Sequence, residues 1–197
     1  MAPRTPPAVS TDRPPRADAL RNRAKVLAAA ETVFAEQGTS ASTEEVARRA
    51  GVGIGTVFRH FPTKESLLEA VLNGLLRRLA DDADALAAGD DPGTAFFAFF
   101  TQVVTQAVTK NALSAALAES GIDAGDTPDR TGQELQQALS TLLDRAQRSG
   151  AVRPDVGLAE VMALLAGTSQ AAGHLGADFD VRIRVLDIVF DGLRPRP

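Results

Sequence analysis

The sequence predicts an all-α protein. Apolar residues recur every three or four positions along most of the chain, and helix-start and helix-stop residues bracket these runs. No stretch alternates apolar and polar residues as a half-buried strand does. Residues 1–17 hold five of the eleven prolines and few large apolar side chains, so they read as a disordered basic arm. From Asp18, a plausible cap, Leu20, Ala24, Leu27, Ala30 and Phe34 mark an amphipathic helix that Gly38 ends. Ser42-Thr43-Glu44-Glu45 has capping-box spacing and opens a short helix, Thr43–Arg49, with Glu45 expected to reach back to the Ser42 amide. Ala50-Gly51-Val52-Gly53 turns the chain into a second short helix, Ile54–Arg59. Pro62 stops that helix and Thr63 caps the next, which runs to about Leu79. Further helices are expected at about 94–109, 111–119, 129–149, 156–172 and 179–193. The domain reading is 1–17 arm, 18–62 three-helix head, 63–80 connecting helix, and 81–197 a longer helical domain.

Composition narrows the function classes. With no cysteine, disulfides and thiolate metal sites are excluded. No uninterrupted apolar run reaches the length of a membrane span, and no signal-peptide core is present, so a cytoplasmic, nucleoid-associated location is expected. The net charge of −4 is unevenly spread. Residues 1–80 carry 12 Lys/Arg against 8 Asp/Glu, while residues 81–197 carry 9 against 17. That asymmetry suits a polyanion-binding module joined to one that avoids nucleic acid.

Spacing within 43–61 is the most informative feature. Val46, Ala50, Val52 and Val57 would close a small apolar wedge between two crossing helices, and Ala47 is small where the helices meet. Gly51 falls where the turn needs a positive φ. These constraints describe a helix-turn-helix whose second helix enters the DNA major groove.

The residues carrying this pattern, Val26-Leu27-Ala28-Ala29-Ala30, Phe34-Ala35-Glu36-Gln37-Gly38 and Val46 through Leu68, resemble the N-terminal signature of the TetR family. Leu186 through Pro195 resembles the closing helix of an actinobacterial-type branch of that family. The resemblance implies an N-terminal three-helix DNA-binding domain followed by a helical ligand-binding and dimerisation domain. It also implies roles for individual residues. Ser42 and Thr43 open a helix whose free amides can hold a phosphate. Gly53 and Ile54 begin the recognition helix, Gly55 lets it approach the bases, and Thr56 offers a hydroxyl. Arg59 is suited to guanine O6 and N7. His60 and Lys64 correspond to backbone clamps that set register. Phe58 stands where many relatives have Tyr, and Gly53-Ile54 replaces Ser plus a polar residue, so the operator sequence need not follow theirs. Arg16, Arg21 and Arg23 extend the basic surface toward the arm.

For the second domain the resemblance implies a small-molecule effector and a homodimer. Phe96, Phe97, Phe99 and Phe100 crowd one helix and face more than one side of it. Val103, Leu113, Leu117, Leu139 and Met162 are further candidates for a pocket, with Gln170 and His174 as polar options, which favours an apolar or amphiphilic ligand. For the dimer, Val161, Leu164, Leu165, Gly167, Thr168 and Ala171 form one candidate strip. Val185, Leu186, Val189, Phe190 and Leu193 form the other, together giving a four-helix interface. No phosphate loop, dinucleotide fingerprint or His-based metal pair is present, so no catalytic residue, metal or cofactor is expected. A competing reading is a DNA-binding regulator without an effector, controlled by expression level or a protein partner; it predicts a filled core.

Overall fold

Eight helices and no strand make up the described residues, which in this computed structural model are 15–121, 130–174 and 179–196. Most of the expected arm, including Arg4 and Arg13, lies outside them. Helix α1 spans Pro15–Gln37, α2 Thr43–Ala50, α3 Ile54–His60 and α4 Lys64–Ala87. They are followed by α5 Pro92–Glu119, α6 Arg130–Arg148, α7 Leu158–His174 and α8 Phe179–Leu193.

The local chemistry explains the boundaries. Gly38 ends α1 with a positive φ. Ser42 caps α2, its Oγ accepting from the Glu45 amide at 3.2 Å. The reciprocal half of the expected capping box is absent, because the Glu45 carboxylate is taken by Arg48, whose Nε donates at 2.8 Å. That pairing is what holds the Glu45 carboxyl below the usual carboxylate range. A complete capping box sits at α4 instead. Thr63 Oγ1 accepts from the Ser66 amide at 3.1 Å, and Ser66 Oγ accepts from the Thr63 amide at 3.2 Å. At α5, Asp91 accepts from the Thr94 amide at 3.0 Å and Pro92 fills the first turn.

Three helices differ from the expected pattern. The buried stripe of α1 runs Val26, Ala29, Ala30, Val33 and Phe34, whereas Leu20 is 69% exposed and Ala24 is also exposed. The first turns of α1 therefore extend past the head they were expected to pack on. Helix α4 continues to Ala87, because Ala83 and Ala87 still have an apolar neighbour to face. The segments expected at 94–109 and 111–119 are one 28-residue helix, and Lys110-Asn111 lies inside it.

Two apolar cores result. The larger gathers side chains from α4 to α8 around Phe96, Phe99, Phe100, Leu142 and Leu165. The smaller holds Val26, Val33 and Phe34 of α1 with Val46, Ala47, Val57 and Phe61. Leu67, Leu68, Val71 and Leu72 of α4 complete it, joined by Leu113 and Leu117 from the far end of α5.

Candidate DNA-reading head and ligand cavity

In the head, Val46 and Val57 are fully buried, Ala47 nearly so, and Ala50 and Val52 pack against the same cluster. These contacts cross α2 over α3. Gly51 caps α2 with φ +66, and the amide of Val52 donates to the Ala47 carbonyl at 3.1 Å. Ion pairs brace the assembly from outside: Arg49 with Glu36 ties α2 to α1, and Arg78 with Glu31 ties α4 to α1.

With Val57 turned inward, α3 presents Ile54 and Phe58, one turn apart and 36% and 42% exposed. Arg59 beside them is exposed and has no ion-pair partner among the described residues. Arg48 and Arg49, by contrast, are engaged within the chain. Thr56 and His60 are half-buried, and the His60 ring lies 6.4 Å from that of Phe61. Lys64, half-buried, opens α4. Thr43 is buried, which commits its side chain to packing, while Ser42 stays exposed as a cap. A Cβ added at Gly53 or Gly55 would meet no atom within 4 Å, so nothing inside the chain asks for glycine at either position. Arg23 lies over the Phe61 ring at 5.2 Å, and Arg21 pairs with Asp18. Arg16 falls in the first turn of α1, its side chain outside the described residues.

Among α4, α5, α6 and α7 lies a cavity of about 550 Å³, within the range of sites that enclose a small organic ligand. Of the expected pocket residues, Phe99, Val103, Leu139, Met162 and Gln170 border it. Phe96 and Phe100 do not: they are fully buried in the larger core, with Phe100 edge-on to Phe190. Phe97 faces away, its ring 4.7 Å from that of Phe190 and under the Arg194 guanidinium. Leu113 and Leu117 pack into the head, because the unbroken α5 carries them beyond the cavity. The side chain of His174 lies outside the described residues.

The sequence reading missed Leu76 and Leu79 of α4, Leu135 of α6, and a polar set from α5 and α7. Lys110, Asn111 and Ser169 belong to that set, and the Asn111 amide donates to Gln170 Oε1 at 3.1 Å. Burial pushes the Lys110 ammonium below the ordinary lysine range. A lysine within an otherwise apolar helix was the signal available in the sequence.

Comparison with known proteins agrees with this geometry. Residues 26–71 match the family described as bacterial regulatory proteins, tetR family. Residues 91–195 match the C-terminal domain described as transcriptional regulator SbtR-like. The chain belongs to the TetR family. It is 41% identical to the TetR transcription regulatory protein of Mycobacterium vanbaalenii, whose crystal structure it matches with a TM-score of 0.75 over 92% of this chain and 100% of that one. The TetR transcriptional regulator SCO0520 of Streptomyces coelicolor is 38% identical, with a TM-score of 0.73 over 89% of this chain and 99% of that one. The HTH-type transcriptional repressor Rv3405c of Mycobacterium tuberculosis is 47% identical over 57 residues, 28% of this chain and 30% of that protein. There the matched stretch spans less than a third of the relative's length. The TetR family consists of DNA-binding transcriptional regulators, not enzymes. Among the described residues, no helix is long and apolar enough to cross a membrane.

The helices expected to pair two TetR-type protomers place their apolar residues on two sides. Val161, Leu165, Leu186, Phe190 and Leu193 are buried in the protomer's own core, as is Thr168, and Val189 packs against that core. The buried members of this set pack within the protomer, while Val189 is half-buried. Val185 is half-buried, whereas Leu164 and Ala171 remain exposed on one face of α7; Gly167, also exposed, borders the cavity. Ile183 and Ile188, absent from the expected strip, are 42% and 72% exposed.

Proposed function

We propose that this regulator is a repressor that binds a palindromic operator as a homodimer and is released by a small ligand held among α4, α5, α6 and α7. The outward Ile54, Phe58 and Arg59 face of α3 carries the DNA reading. A seven-residue helix that leaves two large apolar side chains and an unpaired guanidinium in solvent gains nothing for the fold from them. Arg59 reads guanine, Ile54 and Phe58 contact thymine methyls or sugar, and His60 and Lys64 hold the backbone. Ser42, Thr56, Arg16, Arg21 and Arg23 add phosphate and edge contacts around them.

Dimerisation through α7 and α8 is supported by the exposed Leu164 and Ala171 on one helix and Ile188 on the other. Two heads would then sit on half-sites one helical turn, about 34–36 Å, or more apart. Control follows from α4. Its first half supplies Leu67, Leu68, Val71 and Leu72 to the head, and its middle supplies Leu76 and Leu79 to the cavity wall. A ligand that prefers one position of α4 therefore biases the heads, and a coupling of about 1–3 kcal/mol changes operator affinity roughly 5–150-fold. The cavity supports this reading over an effector-free regulator, which called for a filled core.

The test is a gel shift on DNA upstream of the protein's own gene and on sites selected from random sequence, repeated with Arg59→Ala. The wild type is expected to shift a palindromic site and the variant to lose about 1–3 kcal/mol of discrimination at one base pair of each half-site. A wild-type protein that selects no site would overturn the proposal.

A further inference from the structure

The cavity is graded along α5. Phe99, Val103 and Lys110 lie at helical intervals on one face, and all three border the cavity. At about 1.5 Å per residue, Val103 and Lys110 are about 10 Å apart along the axis. The Phe99 end is apolar, completed by Leu79 and Leu139. At the other end Asn111 bonds Gln170 Oε1 and approaches the Ser169 carbonyl at 3.5 Å, so the amide groups there are organised.

Lys110 is the one ionisable side chain among the described cavity-lining residues. No described carboxylate pairs with it. It is one of three lysines in the chain, in the middle of a helix rich in Ala, Val and Phe. A neutral ligand would shield this ammonium further from water and leave it without a counter-charge, which is costly. A monoanion would supply the missing partner at the end where hydrogen-bonding groups already gather.

We propose that the effector is an amphipathic carboxylate, its head group paired with Lys110 and its apolar body, about 10 Å long, lying along Val103 toward Phe99. This deepens the effector reading of the cavity and rests on it. Burial already disfavours the ammonium, and pairing with an anion offsets that cost.

The experiment is calorimetric titration of the full-length protein with matched probes: decanoate, 1-decanol and decylammonium, then 6-phenylhexanoate and 6-phenylhexanol. The carboxylates are expected to bind at least about tenfold more tightly than the alcohols, with the ammonium weakest. Lys110→Met should remove that preference, with an unchanged circular dichroism spectrum and melting transition showing that the variant is folded. Lys110→Arg should retain part of the preference. Alcohols that match the carboxylates, or a preference that survives Lys110→Met, would refute the anionic head group and leave the cavity standing as an effector site. Failure of every probe to bind the folded wild type would overturn both readings.

Discussion

Replacing Gly55 by Ala should make the protein more stable and worse at binding DNA. Gly55 lies within α3 and is exposed, and an added Cβ has open space around it. At a position whose φ and ψ alanine adopts without strain, replacing glycine by alanine stabilises by about 0.4–1 kcal/mol, because the unfolded chain has fewer conformations to lose. Since the new methyl meets nothing, that gain should be realised. For a chain of this size it corresponds to a rise in melting temperature of about 1–4 °C. The same methyl projects from the first turn of the helix proposed to enter the groove, where N-terminal residues would meet base edges. Holding that turn away from the bases should cost about 1–3 kcal/mol, or roughly 5–150-fold in operator affinity. Differential scanning calorimetry gives the first quantity. Fluorescence polarisation on a selected operator, at one fixed salt concentration, gives the second. A variant that melts higher and binds DNA as tightly as wild type would refute the reasoning, because Gly55 would then lie off the interface.

Gly51→Ala should have the opposite effect on stability. At φ +66 an alanine is strained by about 1–2 kcal/mol, so the melting temperature should fall by about 2–8 °C. An unchanged midpoint would mean that the turn relaxes freely. Asp155, held down to about 2 by the adjacent Arg153 guanidinium, has a folded pKa below its unfolded one. Its contribution is therefore present above about pH 4 and lost as the pH falls toward 2, since the unfolded chain takes up the proton first. Acid titration followed by circular dichroism should show a smaller loss across that window in Asp155→Asn than in wild type; superimposable curves would remove the pair from the account.

The head was legible because its constraints are local. The caps at Ser42 and Thr63, the positive φ at Gly51 and the Val46–Val57 spacing all act over a few residues, so short stretches of sequence specify them. The cavity depends on which of several apolar faces meets which neighbour. Five-residue crowding put Phe96, Phe97, Phe99 and Phe100 forward together; Phe96, Phe99 and Phe100 are buried and Phe97 is half-buried. Only Phe99 of these borders the cavity, because helix rotation against α4, α6 and α7 decides it. The same ambiguity affected α7 and α8. An apolar stripe such as Val161 and Leu165, or Leu186 and Phe190, does not state whether its partner belongs to the same chain, and here it does. Lys110 was passed over because a polar pair within an apolar run looks like a boundary until the helix is seen to continue.

Leu113 and Leu117 give the reading head a dependence that its compact sequence signature hides. Part of the head's interior is supplied by the far end of α5, the first helix of the second module, after the chain has run away from the head along α4 and returned. The head is therefore not a detachable cassette. Grafted onto an unrelated sensor at the end of α4, it would carry its reading surface intact but leave a gap beneath, where two leucines had been, and the recipient would have to provide apolar side chains of its own to fill it.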